Sequence, residues 1–258
     1  MIKKLQSIIQ TRGPAIAAII ILVLAWELIC VTGLVPGYML PSPVDVLKAF
    51  AGDAPILWTN ALVTLQEAIY GLLFGILLGF VFAVLMDMFE VLYKALYPIL
   101  VISQTIPAVA IAPLLVLWFG YEMKPKIILI VIASFFPLTV GLLQGFRSAD
   151  EDSINMLRAM GAGRLKIFRY IKLPSSLPQF FSGLRIATAY SVVGAVISEW
   201  LGGFSGLGVY MTRVKKAYAF DKMFAVIILI SIVSLLLMLA VDLIEKKAMP
   251  YQRIAREE

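Results

Sequence analysis

The chain has 258 residues, of which 61% are apolar, and its mean hydropathy is +0.95. This apolar fraction is well above the roughly 45–50% of soluble domains, which excludes an ordinary soluble fold. The chain contains no histidine and one cysteine, which excludes disulfide frameworks, Cys/His metal sites and Cys–His nucleophilic dyads. Its net charge of +6 is spread over several loops, so we expect no nucleic-acid partner.

Apolar runs of membrane-spanning length, about 20 residues, recur along the chain. We predict six transmembrane helices, at roughly 14–33, 61–86, 95–120, 127–146, 180–200 and 223–244. The first run follows basic residues, as a secretory signal would, but it is too long for a signal and lacks an A-x-A-like cleavage site. We therefore expect a retained helix and an all-α, polytopic membrane protein, with a single transmembrane domain over residues 1–258.

The second predicted helix carries a carboxylate and a row of glycines. A charge at the centre of a membrane helix costs about 2.5–3.5 kcal/mol on insertion scales, so Glu67 needs a reason to be there. It is either a pore-facing or intersubunit group, or a carboxyl group near the outer membrane interface that is kept hydrated or protonated. Gly71, Gly75 and Gly79 recur at four-residue spacing, which is typical of close helix packing, either between two copies or within one.

The third predicted helix carries polar residues that suit a substrate path. Pro107 and Pro113 follow them, and proline in a membrane helix is tolerated where neighbours or a wet cavity satisfy the freed backbone groups. The pathway candidates on this and the next two helices are Ser103, Gln104, Thr105, Ser134 and Ser191. For each hydroxyl, a hydrogen bond to its own helix is the alternative.

A polar segment, residues 148–177, separates the fourth and fifth predicted helices. Acidic residues at 150–152 suit a helix N-terminus. Ile154, Leu157 and Met160 then form one apolar stripe on a short helix. Gly161 and Gly163 are natural stops for that helix.

A second, basic helix is predicted at 164–172, ended by Pro174 and Pro178. The whole loop between the membrane helices then covers residues 147–179. Two alternatives follow from the physics of this loop. It lies on anionic lipid through its basic face, or it docks onto another protein.

The distribution of basic residues predicts the orientation of the chain. The two termini and the second and fourth loops carry 14 Lys and Arg residues, whereas the alternate loops carry 7. By the positive-inside rule, both termini and the 147–179 loop lie in the cytoplasm. The basic residues of 213–222 oppose this bias without reversing it.

The spacing within this loop resembles a known motif. Type I ABC importer permeases carry a loop with the pattern E-A-A, three residues, Gly, nine residues, I-x-L-P. Here Gly161 is followed after nine residues by Ile171-Lys172-Leu173-Pro174. The leading triplet departs from the pattern, since its positions hold Asn155, Met156 and Leu157.

Two further motifs extend the resemblance over nearly the whole chain. Trp26-Glu27-Leu28 followed by Leu40-Pro41-Ser42-Pro43 is similar to the nitrate/sulfonate/taurine branch of these permeases. So is Glu199-Trp200-Leu201-Gly202 leading to Ser205-Gly206-Leu207-Gly208. The Trp-Glu-Leu and Ser-Gly-Leu-Gly pieces also resemble permeases for the thiamine-precursor pyrimidine.

The resemblance implies a type I importer permease fold in a bacterial cytoplasmic membrane, surrounded by lipid. Its implied partners are a second permease copy, two ATP-binding subunits, an extracytoplasmic binding protein and a small organic or anionic solute. The chain has no G-x-x-x-x-G-K-[ST] run, so we expect ATP and Mg²⁺ to be bound and ATP to be hydrolysed by a partner, not by this chain. We expect no cofactor and no metal in this chain.

The resemblance also implies roles for particular residues. The predicted ATPase-coupling residues are Ile154, Asn155, Leu157, Arg158, Met160, Gly161, Ile171, Leu173 and Pro174. The predicted outer gate or binding-protein contact consists of Glu199, Gly206 and Gly208.

Three other functions fit the composition. An ion-coupled secondary transporter would need its own ion site, for which Glu67 is the one candidate. An intramembrane enzyme would need a catalytic constellation, and no histidine or paired carboxylate within a helix offers one. A membrane scaffold without transport would not explain the polar loop.

Overall fold

The structure, a computed structural model, describes residues 2–250, with side chains throughout except those of residues 2–12 and Ala15. The described residues form α-helices and no strand. The helices are α1 (Ile2–Val31), α2 (Pro43–Gly52), α3 (Ala54–Met88), α4 (Glu90–Ser103), α5 (Ala108–Phe119), α6 (Met123–Arg147), α7 (Glu151–Ala159), α8 (Arg164–Ile167), α9 (Leu173–Leu201), α10 (Leu207–Lys216) and α11 (Phe220–Ala248). A π-helical turn, Phe168–Lys172, joins α8 to α9.

Two compact units make up the described chain. The first contains the residues up to 58 together with 211–229, and the second contains 59–210 together with the residues from 230 onward. In the first unit, the indole N–H of Trp26 donates to the carbonyl of Pro41 at 3.1 Å, which ties the end of α1 to the start of α2. The candidate functional residues lie in the second unit. The prediction of one domain over the whole chain stays a prediction.

Several helices are long and apolar enough to cross a membrane. Among the described residues four qualify alone: Ala54–Met88, Met123–Arg147, the joined helix Arg164–Leu201, and Phe220–Ala248. The pair α4 and α5 qualifies together, and the apolar part of α1, Ile16–Val31, is a shorter helix. The predicted all-α polytopic class is confirmed, and the predicted count of six spans is approximately supported.

The third predicted helix, 95–120, is not one helix. Its two halves, α4 and α5, meet at a bend of 97°. α4 ends at Ser103, and a turn follows it. Ile106 precedes proline, a position that disfavours helical dihedrals, and the next helix begins with Pro107 as the N-cap of α5. Pro113 lies inside α5 without ending it.

Pro174 and Pro178 do not end the basic helix, contrary to the sequence prediction. The chain continues from Arg164 to Leu201 as one 38-residue helix. Pro174 occupies the first turn of α9, where its missing N–H is tolerated, and the wider π-helical turn precedes it. The helix that ends at Leu201 therefore begins inside the predicted loop 147–179.

The glycine row of α3 packs against α6 of the same chain. A Cβ at Gly75 would overlap the side chain of Ser134, and one at Gly79 would lie 3.1 Å from the Cβ of Leu138. Small residues let two helices approach closely. Of the two alternatives for this row, the structure shows packing within one copy.

At the centre of the second unit, α6 and α9 approach each other through small residues. A Cβ at Gly141 would lie 2.8 Å from the carbonyl oxygen of Gln179, and one at Gly183 would overlap the carbonyl of Pro137. Larger side chains at these positions would force the backbones apart. The two helices therefore form a tightly packed pair that positions the residues described below.

Candidate functional site

The interhelical segment, residues 148–172, begins with a capped helix. The Asp150 carboxylate accepts hydrogen bonds from the backbone N–H of Ser153 at 2.9 Å and from its hydroxyl at 2.5 Å. These bonds hold the pKa of Asp150 below its usual range, because they stabilise the ionised form. The predicted N-terminal position of the acidic residues is confirmed.

At its other end, α7 is closed by a Schellman motif. Gly161 adopts φ +79°, and its N–H donates to the carbonyl of Arg158 at 2.9 Å. The next N–H, of Ala162, donates to the carbonyl of Leu157 at 2.9 Å. The predicted stop at Gly161 is confirmed, and only glycine adopts this φ without strain. Gly163, in contrast, has φ −73° and is the N-cap of α8.

The predicted apolar stripe of α7 is divided between two environments. Ile154 is buried, and Leu157 packs beside it against the second half of the interhelical segment. Their cluster also contains Ala149, Ala162, Ile167 and Ile171. Met160, the third residue of the stripe, is 74% exposed. Ile154 and Leu157 therefore stabilise the segment itself, and Met160 remains on its surface.

The exposed side of α7 carries a residue that is not among the predicted ATPase-coupling residues. Met156 is 61% exposed and lies one helical turn before Met160. We call this pair the methionine face. Asn155 and Arg158 lie beside it, joined by a hydrogen bond of 3.3 Å between exposed side chains. The position of Met156, two residues from buried Ile154 and so on the opposite side of the helix, was the available signal.

The interhelical segment is fixed to both neighbouring membrane helices. Lys172 donates to both carboxylate oxygens of Asp87, at the end of α3, at 2.8 Å each. Ile171 contacts the cluster beneath α7, and Leu173 packs in the cluster around Phe146. Pro174 is exposed. Three of the four residues of the motif at 171–174 thus attach α7 and α8 to the membrane helices.

Near the start of α6, a buried ion pair joins two membrane helices. The ammonium group of Lys126 donates to the Glu67 carboxylate of α3 at 2.6 Å, and the two side chains are 5% and 2% exposed. An unpaired charge in such a place would be strongly destabilising, so each group requires the other. The structure therefore shows Glu67 buried and paired with Lys126, not hydrated.

Glu199, at the end of α9, belongs to the same cluster. One of its carboxylate oxygens accepts from the hydroxyl of Thr64 at 2.7 Å, and the other accepts from the N–H of Gly208 at 2.5 Å. Thr64 lies one helical turn before Glu67 on α3, so its bond to Glu199 brings the two carboxyl groups into one cluster. Glu199 is 2% exposed in this structure. Its role as an outer gate or a binding-protein contact stays a prediction.

The turn after α9 is fastened to α3 through its backbone. The N–H of Gly206 donates to the Asn60 side chain at 2.8 Å, and the N–H of Leu207 donates to the Thr64 hydroxyl at 2.9 Å. Gly206 has φ +122°, and a Cβ there would overlap the Glu199 carboxyl. We call the whole set the buried charge cluster: Asn60, Thr64, Glu67, Lys126, Glu199 and Gly206–Gly208.

The structure thus brings Glu199, Gly206 and Gly208 together, as the sequence predicts. The residues missed were Asn60, Thr64 and the partner Lys126. A signal for the first two was present in the sequence. Asn60, Thr64 and Glu67 recur at i, i+4 and i+7, which is one polar face of an otherwise apolar helix.

The hydroxyls predicted to line a substrate path donate to backbone carbonyls one turn earlier in the chain. Four such bonds are present: Ser103 to Leu100 O at 2.7 Å, Thr105 to Ile102 O at 2.8 Å, Ser134 to Ile130 O at 2.8 Å and Ser191 to Thr188 O at 2.8 Å. Ser134 and Ser191 are also fully buried. The alternative stated for each hydroxyl is therefore the geometry observed.

Gln104, the fifth pathway candidate, lines a cavity of about 330 Å³ beside α6 and α9. The other polar side chains that line it are Gln144, Gln179, Ser182 and Tyr190. The side-chain oxygen of Gln179 is buried and has no hydrogen-bond partner among the described residues. Amides within apolar helices were the signal for Gln144 and Gln179, because polar groups there require a reason.

Comparison with known families gives one family match over more than half of the chain. Residues 71–249 match the family described as "Binding-protein-dependent transport system inner membrane component". The matched range contains α6, α7, α9 and the interhelical segment.

Three characterised or named proteins illustrate the similarity. A protein of Haemophilus influenzae described as "Probable ABC transporter permease protein" is 38% identical, with 86% of this chain and 91% of that protein covered. The formylaminopyrimidine transport permease protein ThiX of Halalkalibacterium halodurans is 35% identical, with 84% and 87% covered. The taurine transport system permease protein TauC of Escherichia coli is 28% identical, with 92% and 89% covered.

Among solved structures, the MetNI methionine ABC transporter in an inward-facing conformation contains a similar chain. The TM-score is 0.67 at 21% sequence identity, covering 76% of this chain and 98% of the other. At this identity the likeness concerns the fold.

Proposed function

This chain belongs to the family of binding-protein-dependent transport system inner membrane components, and from that premise we propose that it forms the solute pathway of an ATP-driven importer. Membership confirms the resemblance to ABC importer permeases, including the branch that contains taurine and pyrimidine permeases. The chain is thus a membrane transport component and not a catalytic one, and the ATPase is a separate partner.

The proposed assembly contains a second copy of this chain, two subunits that bind ATP and Mg²⁺, and an extracytoplasmic binding protein. In it, both termini and the interhelical segment lie in the cytoplasm, as the basic residues indicate. The buried charge cluster then lies towards the outer surface of a bacterial cytoplasmic membrane, because α9 runs from the interhelical segment to Glu199.

The main support for this proposal is that the exposed face of α7 is packed rigidly onto a membrane helix. The methionine face is exposed on α7, and Ile154 and Leu157 lock α7 onto the start of the helix that runs from Arg164 to Leu201. If an ATP-binding subunit binds Met156 and Met160 in an apolar groove, a movement of that subunit would therefore move the whole interhelical segment. Lys172 would carry the same movement to Asp87 of α3.

The far end of α9 suits a gate on the outer side. Glu199 fastens the turn at Gly206–Gly208 to α3, so a displacement of α9 must strain or break those hydrogen bonds. Because the bonds are buried, breaking them requires water or a solute to replace them. We infer that the buried charge cluster holds the outer end closed when the interhelical segment is at rest.

A pair of charge substitutions tests the contact with the ATPase. Met156→Asp and Met160→Asp place carboxylates on an exposed face, where they leave the permease folded but repel an apolar groove. We expect the ATP-binding subunits to be lost on purification in mild detergent, and ATP-driven uptake to fall with them. Met39→Asp is the matched control, because Met39 is also more than half exposed but lies far along the chain in the α1–α2 connection.

Equal recovery of the ATP-binding subunits from all three variants would contradict the proposed contact. If the unsubstituted chain purifies without any ATPase, the proposed importer function is wrong. A secondary transporter or a scaffold would then fit better. Leu157→Asp is a poor substitute for these variants, because Leu157 packs within the segment and its replacement would disturb the fold.

A further inference from the structure

The cavity beside α6 and α9 is polar but carries no charge. None of the described residues that line it is acidic or basic, and three of them are glutamines. A carboxamide offers both a hydrogen-bond donor and an acceptor in one plane. Such a lining suits a ligand with donors and acceptors of its own, and it offers no counter-charge to an anion.

Three of the four basic side chains on α6 and α9 already have partners, and the fourth, Lys124, is exposed on the first turn of α6. Arg147 pairs with Glu90 at 3.8 Å and lies over the ring of Tyr93. Arg185, the one basic residue of α9, donates to Asp242 at 2.7 Å and also pairs with Glu245. Lys126 of α6 is engaged by Glu67. An anionic solute in the cavity would therefore meet amides, and Arg185 and Lys126 are held by carboxylates outside the cavity.

The lining also contains groups that suit a flat ligand. Phe136 and Tyr190 supply aromatic side chains. A volume of about 330 Å³ lies at the small end of ligand pockets, which suits a compound of one or two rings. Aromatic rings stack on flat heterocycles with offset geometry.

The open side of the cavity does not suit lipid. Gln104, Gln144 and Ser182 are exposed in the single chain, and exposed polar groups at membrane depth require water or another protein. The second permease copy and the aqueous pathway of the proposed importer meet this requirement. The buried, unpartnered oxygen of Gln179 adds a group that a ligand N–H would satisfy.

We propose that this cavity receives an uncharged, planar nitrogen heterocycle during transport, held by the carboxamides of Gln104, Gln144 and Gln179. The proposal rests on the importer function above and narrows its solute from small organic or anionic compounds to neutral ring compounds. Sulfonates and nitrate are excluded from this site by the absence of an available cation in its described lining.

The test measures direct binding to the assembled transporter in lipid nanodiscs without its binding protein, so that the selectivity of that protein does not enter. The probes are radiolabelled formylaminopyrimidine and cytosine, with taurine and ethanesulfonate as charged competitors. The variants are Gln144→Leu and Gln179→Leu, and Gln66→Leu is the matched control, because Gln66 is an exposed amide on α3 that does not line the cavity.

We expect each cavity variant to weaken heterocycle binding by about tenfold, as the loss of one well-placed amide does. The Gln66→Leu variant and both charged competitors should have no effect. Gln179→Leu should keep or raise the thermal unfolding temperature, because it removes a buried oxygen without a partner. Weaker binding together with an unchanged or higher unfolding temperature distinguishes a lost ligand contact from a damaged fold.

Binding of taurine or ethanesulfonate in competition with the heterocycles would overturn the inference, as would a lack of heterocycle binding or unchanged binding in both cavity variants. ATP hydrolysis by the same preparation is measured in parallel. If the transporter hydrolyses ATP but binds the anions more tightly, the proposed importer function is supported and the proposed neutral solute is wrong. A chain that assembles with no ATPase removes the importer function instead.

Discussion

Lys126 pairs with Glu67 where both side chains are buried, so the removal of Lys126 should destabilise the whole buried charge cluster. Lys126→Met leaves the carboxyl groups of Glu67 and Glu199 together without their counter-charge. Breaking a buried pair by removing one partner typically costs about 3–5 kcal/mol. We expect a loss of that size in the free energy of unfolding, measured by denaturant titration of the purified chain in detergent.

Lys124→Met is the control for this change, because Lys124 is exposed on the first turn of the same helix. Adding Glu67→Gln to Lys126→Met should restore part of the lost stability, since the remaining buried groups are then closer to neutral. An unfolding curve for Lys126→Met that overlays that of Lys124→Met would show that the pair contributes nothing.

Gly206 is a second residue whose identity the structure requires. Its φ of +122° is strained for any residue with a Cβ, and that atom would also overlap Glu199. We expect Gly206→Ala to lose about 1–3 kcal/mol of stability and to release the turn from α3. Gly52→Ala, where a Cβ would meet no atom within 4 Å, should leave both stability and uptake unchanged. Equal melting temperatures for the two variants would contradict this requirement.

At the scale of elements, α7 depends on its cap for a defined start. Because the folded pKa of Asp150 is lowered, its contribution is fully present above the unfolded value of about 3.9 and is lost as pH falls through the folded pKa. We therefore expect Asp150→Ala to speed amide exchange of Ser153 and Ile154 at pH 7. Asp150→Asn, which still accepts a hydrogen bond, should retain most of the protection.

The pH dependence provides a separate check of the same cap. Acidification below about pH 4 should reduce the protection of α7 in the unsubstituted chain relative to the Asp150→Asn variant at each pH. If the ratio of α7 amide protection between the unsubstituted chain and the Asp150→Asn variant stays constant across this pH range, the ionised carboxylate does not cap the helix.

Helix existence was predictable from apolar runs and capping residues, and helix continuity was not. Pro107 breaks the third predicted helix, whereas Pro113, Pro137 and Pro178 lie inside helices. The local effect of proline is the same at each position, but neighbouring helices and wider turns decide whether the chain recovers. That information lies in tertiary contacts, which the sequence pattern does not contain.

The same limit applies to the candidate sites at the scale of the molecule. The Gly161-to-Pro174 frame was visible as spacing, because caps and stops depend on local geometry. Which side of α7 is exposed depends on Ile167 and Ile171, and the partner of Glu67 lies 59 positions away at Lys126. Contacts between distant helices thus separate the buried residues from the available ones.

The second unit has an apolar face on α11 and a polar cavity that must contact water, and the single cysteine of the chain makes this testable. Cys30→Ser gives a chain without thiols, to which Ser182→Cys in the cavity or Leu236→Cys on exposed α11 is added. A thiol reacts as its thiolate, which requires hydration. In lipid nanodiscs of the assembled transporter, a charged maleimide should therefore label Ser182→Cys at least about tenfold faster than Leu236→Cys, because α11 presents a continuous apolar surface there. Equal rates would mean that lipid or a tight protein contact, and not an aqueous pathway, covers the cavity.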